Sequence, residues 1–182
     1  MRIFAALPLP LNLKIEIGEK QKELKDIYKN LKYVNPENMH LTLYFFGEID
    51  ESKTEEIFDI MDDPSMRSDR IKCSIDEAGF FPDSGMVRVV YLGIKNGKNE
   101  IVAYQKNFVE LLARRGFAIA DKPFNTHITV ARNKREKIKK ELVKEKLHLQ
   151  SAFTIDRIVL YRSILHRDGP RYIPLKTVMF KR

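Results

Sequence analysis

The chain has 182 residues, of which 43% are hydrophobic and 32% charged, and its formal net charge is +8. This length suffices for one good-sized core or for two small lobes that share one. No apolar stretch approaches the roughly 20 residues of a membrane helix, and the first residues lack the long apolar region of a signal peptide. Cys73 is the only cysteine, so an internal disulfide is excluded. We therefore expect a cytoplasmic protein that does not bind membranes.

The positive charge has two interpretations that composition alone leaves open. An excess of Lys and Arg attracts polyanions, of which nucleic acid is the commonest. A surface rich in both Lys and Glu, as in proteins from hot environments, has a similar composition.

The first half of the chain alternates predicted strands and helices. Residues 2–8 resemble a strand, and the spacing of Leu24, Ile27 and Leu31 predicts a helix over about 11–31. A strand at 40–46 ends at Gly47, and Asp50 or Ser52 caps a helix over about 51–62. Another strand at 71–80 leads into a turn at 82–85.

The second half repeats this order. The predictions are a strand at 88–94, a helix at 98–115, a strand at 127–131, a strongly basic helix at 134–147 and strands at 153–162 and 172–180. Arg2-Ile3-Phe4 matches Arg88-Val89-Val90 at an offset of 86 positions. We interpret the halves, about 1–86 and 87–182, as an internal duplication within one domain, related by a pseudo-twofold axis.

Two copies of one short motif are the clearest functional signal. His40-Leu41-Thr42-Leu43 and His127-Ile128-Thr129-Val130 both have the form His-x-Thr-apolar and lie 87 positions apart. Because alternate side chains of a strand share a face, each histidine lies beside its threonine. A single strand histidine is more often structural than catalytic, but the repeated His–Thr spacing favours catalysis.

Two facing imidazoles are suited to opening a cyclic phosphodiester. One histidine takes a proton from the attacking water, and the other gives one to the leaving ribose oxygen. Thr42 and Thr129 can donate hydrogen bonds to the non-bridging phosphate oxygens. Arg132, near the end of its strand, can pair with phosphate or simply face solvent.

A metal centre is the less favoured alternative. Zinc takes three or four protein ligands, and neither motif has a further His, Cys or carboxylate at ligand spacing. Walker and Gly-x-Gly-x-x-Gly sequences are also absent, so no nucleotide cofactor is expected. His148 and His166 lack comparable surroundings and are assigned no role.

The residues resemble the two-histidine (2H) phosphoesterases, in particular the RNA 2',3'-cyclic phosphodiesterase, or 2'-5' RNA ligase, family. The similarity covers essentially the whole chain. It is carried by residues 33–48 and 122–132, the Arg2–Ala6 opening, Gly79–Pro82 and Gly169–Tyr172. Tyr33 and Thr126 depart from the family pattern outside the predicted catalytic residues.

The resemblance implies a bilobal α+β fold with two antiparallel sheets, flanked by helices, around a central groove, and strands exchanged between the lobes are possible. It implies that His40 is the proton donor and His127 the proton acceptor, that Thr42, Thr129 and Arg132 hold the phosphate, and that no metal or cofactor is needed. The product would be a 2'-phosphate. The sequence does not indicate the oligomeric state, and a monomer is our default expectation. The natural substrate remains open, with tRNA fragments and small cyclic nucleotides both possible.

Aromatic residues near the motifs have two possible roles. Phe45 and Phe124 are predicted to stack a terminal base. Most of the neighbouring aromatics (Phe46, Phe80 and Phe81) are expected to be core residues instead.

Three functions remain distinguishable. The first is hydrolysis of RNA 2',3'-cyclic phosphate ends, and the second is its reversal as ATP-independent 2'-5' ligation. The third is a non-catalytic RNA-binding module, whose activity would not depend on either histidine.

Overall fold

The computed structural model describes residues 1–119, 123–167 and 169–182, and Lys122 of the second motif segment lies outside them. The fold is α+β, as predicted. The helices are α1 (Leu11–Ile27), α2 (Thr54–Asp62), α3 (Lys98–Arg114) and α4 (Lys140–Lys146). The strands are β1 (Arg2–Pro8), β2 (Lys32–Tyr33), β3 (His40–Glu48), β4 (Ile71–Phe81), β5 (Val89–Ile94), β6 (His127–Arg132), β7 (Ala152–Ile155), β8 (Arg157–His166) and β9 (Gly169–Met179).

The strands form one antiparallel sheet in the order β7-β4-β5-β6-β3-β1-β8-β9, and β2 pairs with β6. Two groups of four strands meet where β3 and β6 pair at Leu41 and Ile128. The expected two sheets are therefore joined into a single nine-stranded sheet, because this central pair continues the hydrogen-bonded ladder.

Burial alternates along both central strands. Leu41, Leu43, Ile128 and Val130 are buried, whereas the histidine and threonine between them are only partly buried. The buried side chains form part of the core. This core also includes Leu13 and Ile17 of α1 and Ile101, Phe108 and Leu112 of α3. The alternation predicted from the motifs thus leaves the histidine face of the sheet outside the core.

Three of the predicted elements differ from those observed. The basic helix expected at 134–147 covers only Lys140–Lys146, because the preceding segment is held as a loop by Asn133. The Asn133 amide oxygen accepts from the backbone N–H groups of Arg135 and Glu136, and its amide nitrogen donates to the Val87 carbonyl. A polar side chain that satisfies backbone groups in this way competes with helix formation.

The strand expected at 153–162 is two strands that separate at Asp156. β7 pairs with β4 at one edge of the sheet, whereas β8 pairs with β1 and β9 near the other. An apolar run does not reveal that its two ends belong to distant strands. The first helix is also shorter than expected, since it ends at Ile27, although Leu31 remains buried.

None of the helices in the described parts of the chain is long and apolar enough to cross a membrane.

Candidate active site

A groove with a volume of about 1180 Å³ opens on the histidine face of the sheet. Both predicted histidines, both threonines, Phe45 and Arg132 line it. The sequence motifs, 87 positions apart in the chain, are therefore brought to one surface, as the pattern predicted.

The strand register explains how the two motifs meet. Leu41 pairs with Ile128, so the flanking positions place His40 opposite Thr129 and Thr42 opposite His127. Side chains at these flanking positions point away from the face that Leu41 and Ile128 bury. The result is an alternating set of two imidazoles and two hydroxyls on the groove side of the sheet.

Backbone hydrogen bonding fixes the tautomer of His40. Its Nδ1 lies 2.7 Å from the carbonyl oxygen of Asn38. A carbonyl oxygen only accepts, so Nδ1 carries the proton, and Nε2 is the nitrogen that gains or loses one. Nε2 lies 2.9 Å from Oγ1 of Thr42, so in the neutral ring the Thr42 hydroxyl donates to Nε2.

His127 repeats this arrangement. Its Nδ1 lies 2.7 Å from the carbonyl oxygen of Asn125, again two residues earlier in the chain. The same argument assigns the proton to Nδ1 and leaves Nε2 as the exchangeable position.

Each imidazole stands beside a pair of aromatic rings. The ring centroid of His40 lies 4.8 Å from that of Phe4 and 5.4 Å from that of Tyr172. The centroid of His127 lies 5.2 Å from Phe81 and 5.4 Å from Tyr91. These rings restrict the rotation of both imidazoles. Phe81, one of the aromatics near the motifs of which most were expected to be core residues, stands beside a site histidine.

Asn38 and Asn125 were not identified as site residues from the sequence. The Asn38 amide nitrogen donates to the Pro170 carbonyl of β9 at 2.9 Å. Burial raises the pKa of Tyr91, and a hydrogen bond with the Asn125 side chain opposes that rise. Asn38 thus anchors the backbone segment that orients His40 to β9, and Asn125 lies close enough to Tyr91 of β5 to do the same for the segment that orients His127. The sequence does contain a pattern that could have identified them, the longer repeat Asn-x-His-x-Thr, because Asn38 and Asn125 are also 87 positions apart.

Burial of His40 lowers its pKa to about 4. The hydrogen bond to the Asn38 carbonyl opposes this change, while the positive charges of Lys14, His127 and Arg132 lower the pKa further. Lys14 donates from Nζ to the Glu37 carbonyl at 2.8 Å, which holds its charge close to the site. His40 is therefore neutral at pH 7 in the ligand-free protein.

The predicted aromatic contacts divide into two cases. Phe45 lines the groove and is 48% exposed, with the guanidinium carbon of Arg2 4.8 Å from its ring centroid. Phe124 packs partly buried against the core and is not a groove-lining residue. Sequence reasoning gave no individual role to Arg2, Phe4, Arg171 or Tyr172, which all line the groove.

Among the described residues, no three His, Cys, Asp or Glu side chains come close enough to hold a metal ion together.

Comparison with known proteins places this site in a family. The family model described as "2'-5' RNA ligase superfamily" matches residues 15–167. An RNA 2',3'-cyclic phosphodiesterase from Methanocaldococcus jannaschii is 35% identical over 97% of this chain and 99% of its own.

Solved structures show the same similarity. The crystal structure of TT0787 from Thermus thermophilus matches with a TM-score of 0.82 and 26% identity, over 99% of this chain and 98% of that one. Escherichia coli LigT complexed with 3'-AMP matches with a TM-score of 0.78 and 25% identity, over 100% of this chain and 98% of that one.

The chain belongs to the 2'-5' RNA ligase superfamily, which confirms the resemblance to two-histidine phosphoesterases drawn from the motifs. Its nearly full-length relatives place it, more particularly, among the RNA 2',3'-cyclic phosphodiesterases.

The lowered pKa of His40 predicts a pH dependence of stability. The pKa is lowered from 6.5 to about 4 in the folded protein. Between these values the unfolded chain binds more protons, so the free energy of unfolding falls as the pH falls. Urea titrations at pH 7 and pH 4.5 should show that wild type loses about 2 to 3 kcal/mol more than His40→Asn over this interval. Equal losses in the two proteins would show that burial does not keep His40 neutral.

Proposed function

We propose that this protein hydrolyses RNA 2',3'-cyclic phosphate ends to 2'-phosphomonoesters by acid–base catalysis with His40 and His127, without a metal. The names of its relatives support the reaction. The observation that carries the mechanism is that both histidines bind a carbonyl through Nδ1, which leaves both Nε2 atoms as the exchangeable nitrogens of one groove.

In this mechanism, water attacks phosphorus while His127 Nε2 takes one of its protons. The bond between phosphorus and the ribose 3' oxygen breaks, and His40 Nε2 donates a proton to that oxygen. The products are a 2'-phosphate and a 3'-hydroxyl. The histidines end the turnover in exchanged protonation states, and proton exchange with solvent restores them.

His40 must gain a proton before it can donate one, because it is neutral in the empty groove. A bound phosphodiester carries a negative charge, which offsets the nearby positive charges of Lys14 and Arg132. An opposite charge within a few ångströms favours the protonated imidazole. We therefore propose that His40 takes up its proton as the substrate binds.

The remaining groove residues have binding roles in this proposal. Thr42 and Thr129 donate hydroxyl hydrogen bonds to the non-bridging oxygens, and the exposed Arg132 guanidinium pairs with the phosphate. Phe45 presents an exposed ring on which a base can stack. No substrate-binding role remains for Phe124, which packs against the core.

The strand pairing supports our proposal that the chain is one duplicated, bilobal domain with a pseudo-twofold relation. β1, α1 and β3 correspond in order to β5, α3 and β6, and β3 meets β6 at the centre of the sheet. β4 from the first half pairs with β5, and β8 from the second half pairs with β1. Such pairing is what strand exchange between two related halves would produce. We propose a monomer, since this arrangement supplies both histidines from one chain.

The superfamily's description as 2'-5' RNA ligases favours one second function. The same two histidines can join a 2',3'-cyclic end to a 5'-hydroxyl by the reverse reaction, without ATP. Incubation of a split RNA with the enzyme, followed by analysis for a 2'-5' linkage, tests it.

Loss of either histidine should abolish hydrolysis. A short RNA with a 2',3'-cyclic phosphate end, incubated in excess EDTA, should yield a 2'-phosphate with wild type. His40→Ala and His127→Ala should each lower kcat by at least about 100-fold, because each removes one proton transfer. Chromatography that separates 2'- from 3'-phosphate products measures both the rate and the position of cleavage.

His148→Ala is the matched control, since His148 does not line the groove. If His40→Ala and His127→Ala still open the cyclic phosphate at the wild-type rate, the mechanism is contradicted. RNA binding without any opening by wild type would indicate the non-catalytic module.

Phosphate should raise the pKa of His40. NMR titration of the His40 ring should give a pKa near 4 in buffer without anions and a value at least about one unit higher with saturating inorganic phosphate. If the pKa stays near 4 with phosphate bound, His40 is the base and His127 the acid.

The asparagine anchors should affect kcat more than KM. Asn38→Ala and Asn125→Ala each release the segment whose carbonyl orients a histidine, so we expect kcat to fall about 10- to 100-fold. Asn107→Ala is the control, because Asn107 also donates to a backbone carbonyl, that of Ser65, on a different part of the surface. A change in KM alone would show that the asparagines contact substrate instead of positioning the imidazoles.

A further inference from the structure

The groove continues beyond the two histidines along the β8–β9 hairpin. Residues 163–166 and 169–173 of this hairpin line the groove. We call this surface the hairpin wall. In the proposed mechanism none of these residues transfers a proton or holds the phosphate, although Tyr172 packs against the His40 ring.

Strand register divides the side chains of the wall between the two faces of the hairpin. Ser163 pairs with Tyr172 and Leu165 with Pro170, so these four share one face of the hairpin. Tyr172 on that face lies against the His40 ring. Leu165 stands two residues further along, about 7 Å from the level of Tyr172. Leu165 therefore lies further than Tyr172 from the His40 ring, towards the end of the hairpin.

The wall has exposed apolar side chains next to positive charge. Leu165 is 67% exposed. The register places Arg171 and Ile173 on the other face of the hairpin, but both are exposed and line the same groove, with Ile173 45% exposed. Across the described residues that line the groove, four cations (Arg2, Lys32, Arg132 and Arg171) accompany a single carboxylate, that of Glu37. Apolar surface interleaved with arginine suits a single-stranded nucleic acid, whose bases stack or pack while its phosphates pair with charge.

The hairpin wall is held in a fixed position relative to His40. Asn38, whose backbone carbonyl orients His40, donates from its side chain to the Pro170 carbonyl of the wall. The groove volume of about 1180 Å³ exceeds the roughly 300–1,000 Å³ of ordinary small-molecule pockets. The groove therefore has room for more than a single small molecule.

We propose that the hairpin wall binds the nucleotide that precedes the cyclic phosphate end, so that the substrates are single-stranded RNA ends and not free cyclic mononucleotides. Leu165 packs against the base or ribose of that nucleotide, and Arg171 pairs with its phosphate. This inference rests on the proposed phosphodiesterase function.

The test compares two substrates, a cyclic mononucleotide and a trinucleotide with the same terminal base and cyclic phosphate. Wild type should open the trinucleotide with a higher kcat/KM than the mononucleotide. Leu165→Glu should lower the ratio of the two kcat/KM values about 10-fold, because it removes the apolar contact and adds a repelling charge. Arg171→Gln should lower that ratio and reduce the salt dependence of KM for the trinucleotide.

Leu11→Glu on α1 is the control for Leu165→Glu, since Leu11 is 72% exposed and does not line the groove. Leu11→Glu should leave the ratio of the two kcat/KM values at its wild-type level. Arg115→Gln is the control for Arg171→Gln and should also leave this ratio unchanged. Leu165→Ser provides a milder second variant, and circular dichroism checks that each protein is folded.

The outcomes separate the inference from the function on which it rests. If wild type opens neither substrate, the phosphodiesterase proposal fails. If it opens both, and the ratio is the same in wild type, Leu165→Glu, Leu165→Ser and Arg171→Gln, the function stands and the hairpin wall does not bind RNA. A wild-type preference for the mononucleotide also overturns the inference.

Discussion

The pairing of β3 with β6 is the contact on which the site depends. It consists of a single residue pair, Leu41 with Ile128, both of which are buried in the core. Because these two side chains point into the core, their neighbours in each strand must point the opposite way. Hydrophobic burial of two apolar residues thereby sets the register and orientation of two histidines and two threonines.

The second constraint is the carbonyl that each histidine binds through Nδ1. A backbone carbonyl cannot donate, so it fixes the tautomer without a carboxylate partner. The absence of a carboxylate at this position matters for His40, because a negative charge there would favour the charged ring. With a neutral acceptor, burial and nearby cations lower the pKa of His40 to about 4. The proposed mechanism therefore makes the substrate's own charge the factor that protonates the acid.

The groove combines two kinds of surface. Its centre is built from strands β3 and β6 and is held rigid by the core beneath and by the aromatic rings beside each imidazole. Its edge is the β8–β9 hairpin, which supplies exposed apolar and basic side chains. In the proposals made above, the centre carries out the reaction and the edge selects the length of the RNA.

The sequence alone pointed to the acid–base chemistry that we propose, because strand periodicity and the repeated His-x-Thr spacing are local properties. They were enough to place His40, Thr42, His127 and Thr129 on one surface, and nearness to the motifs in the chain added Arg132 and Phe45, which also line the groove. The prediction from the sequence was wrong for Phe124, which lies close to a motif in the chain but packs against the core and does not line the groove. The predicted helix at 134–147 was too long, because the Asn133 side chain holds its first part as a loop. The predicted strand at 153–162 was wrong as a single strand, because β7 and β8 pair with different strands.

Only the tertiary structure decided that the two sets of strands join in one sheet, that Asn38 and Asn125 anchor the histidines, and that β8 and β9 form a wall of the groove. The physical reason is that each of these features is a contact between segments far apart in the chain. Periodicity reports which side of an element is buried, but not which distant element covers it.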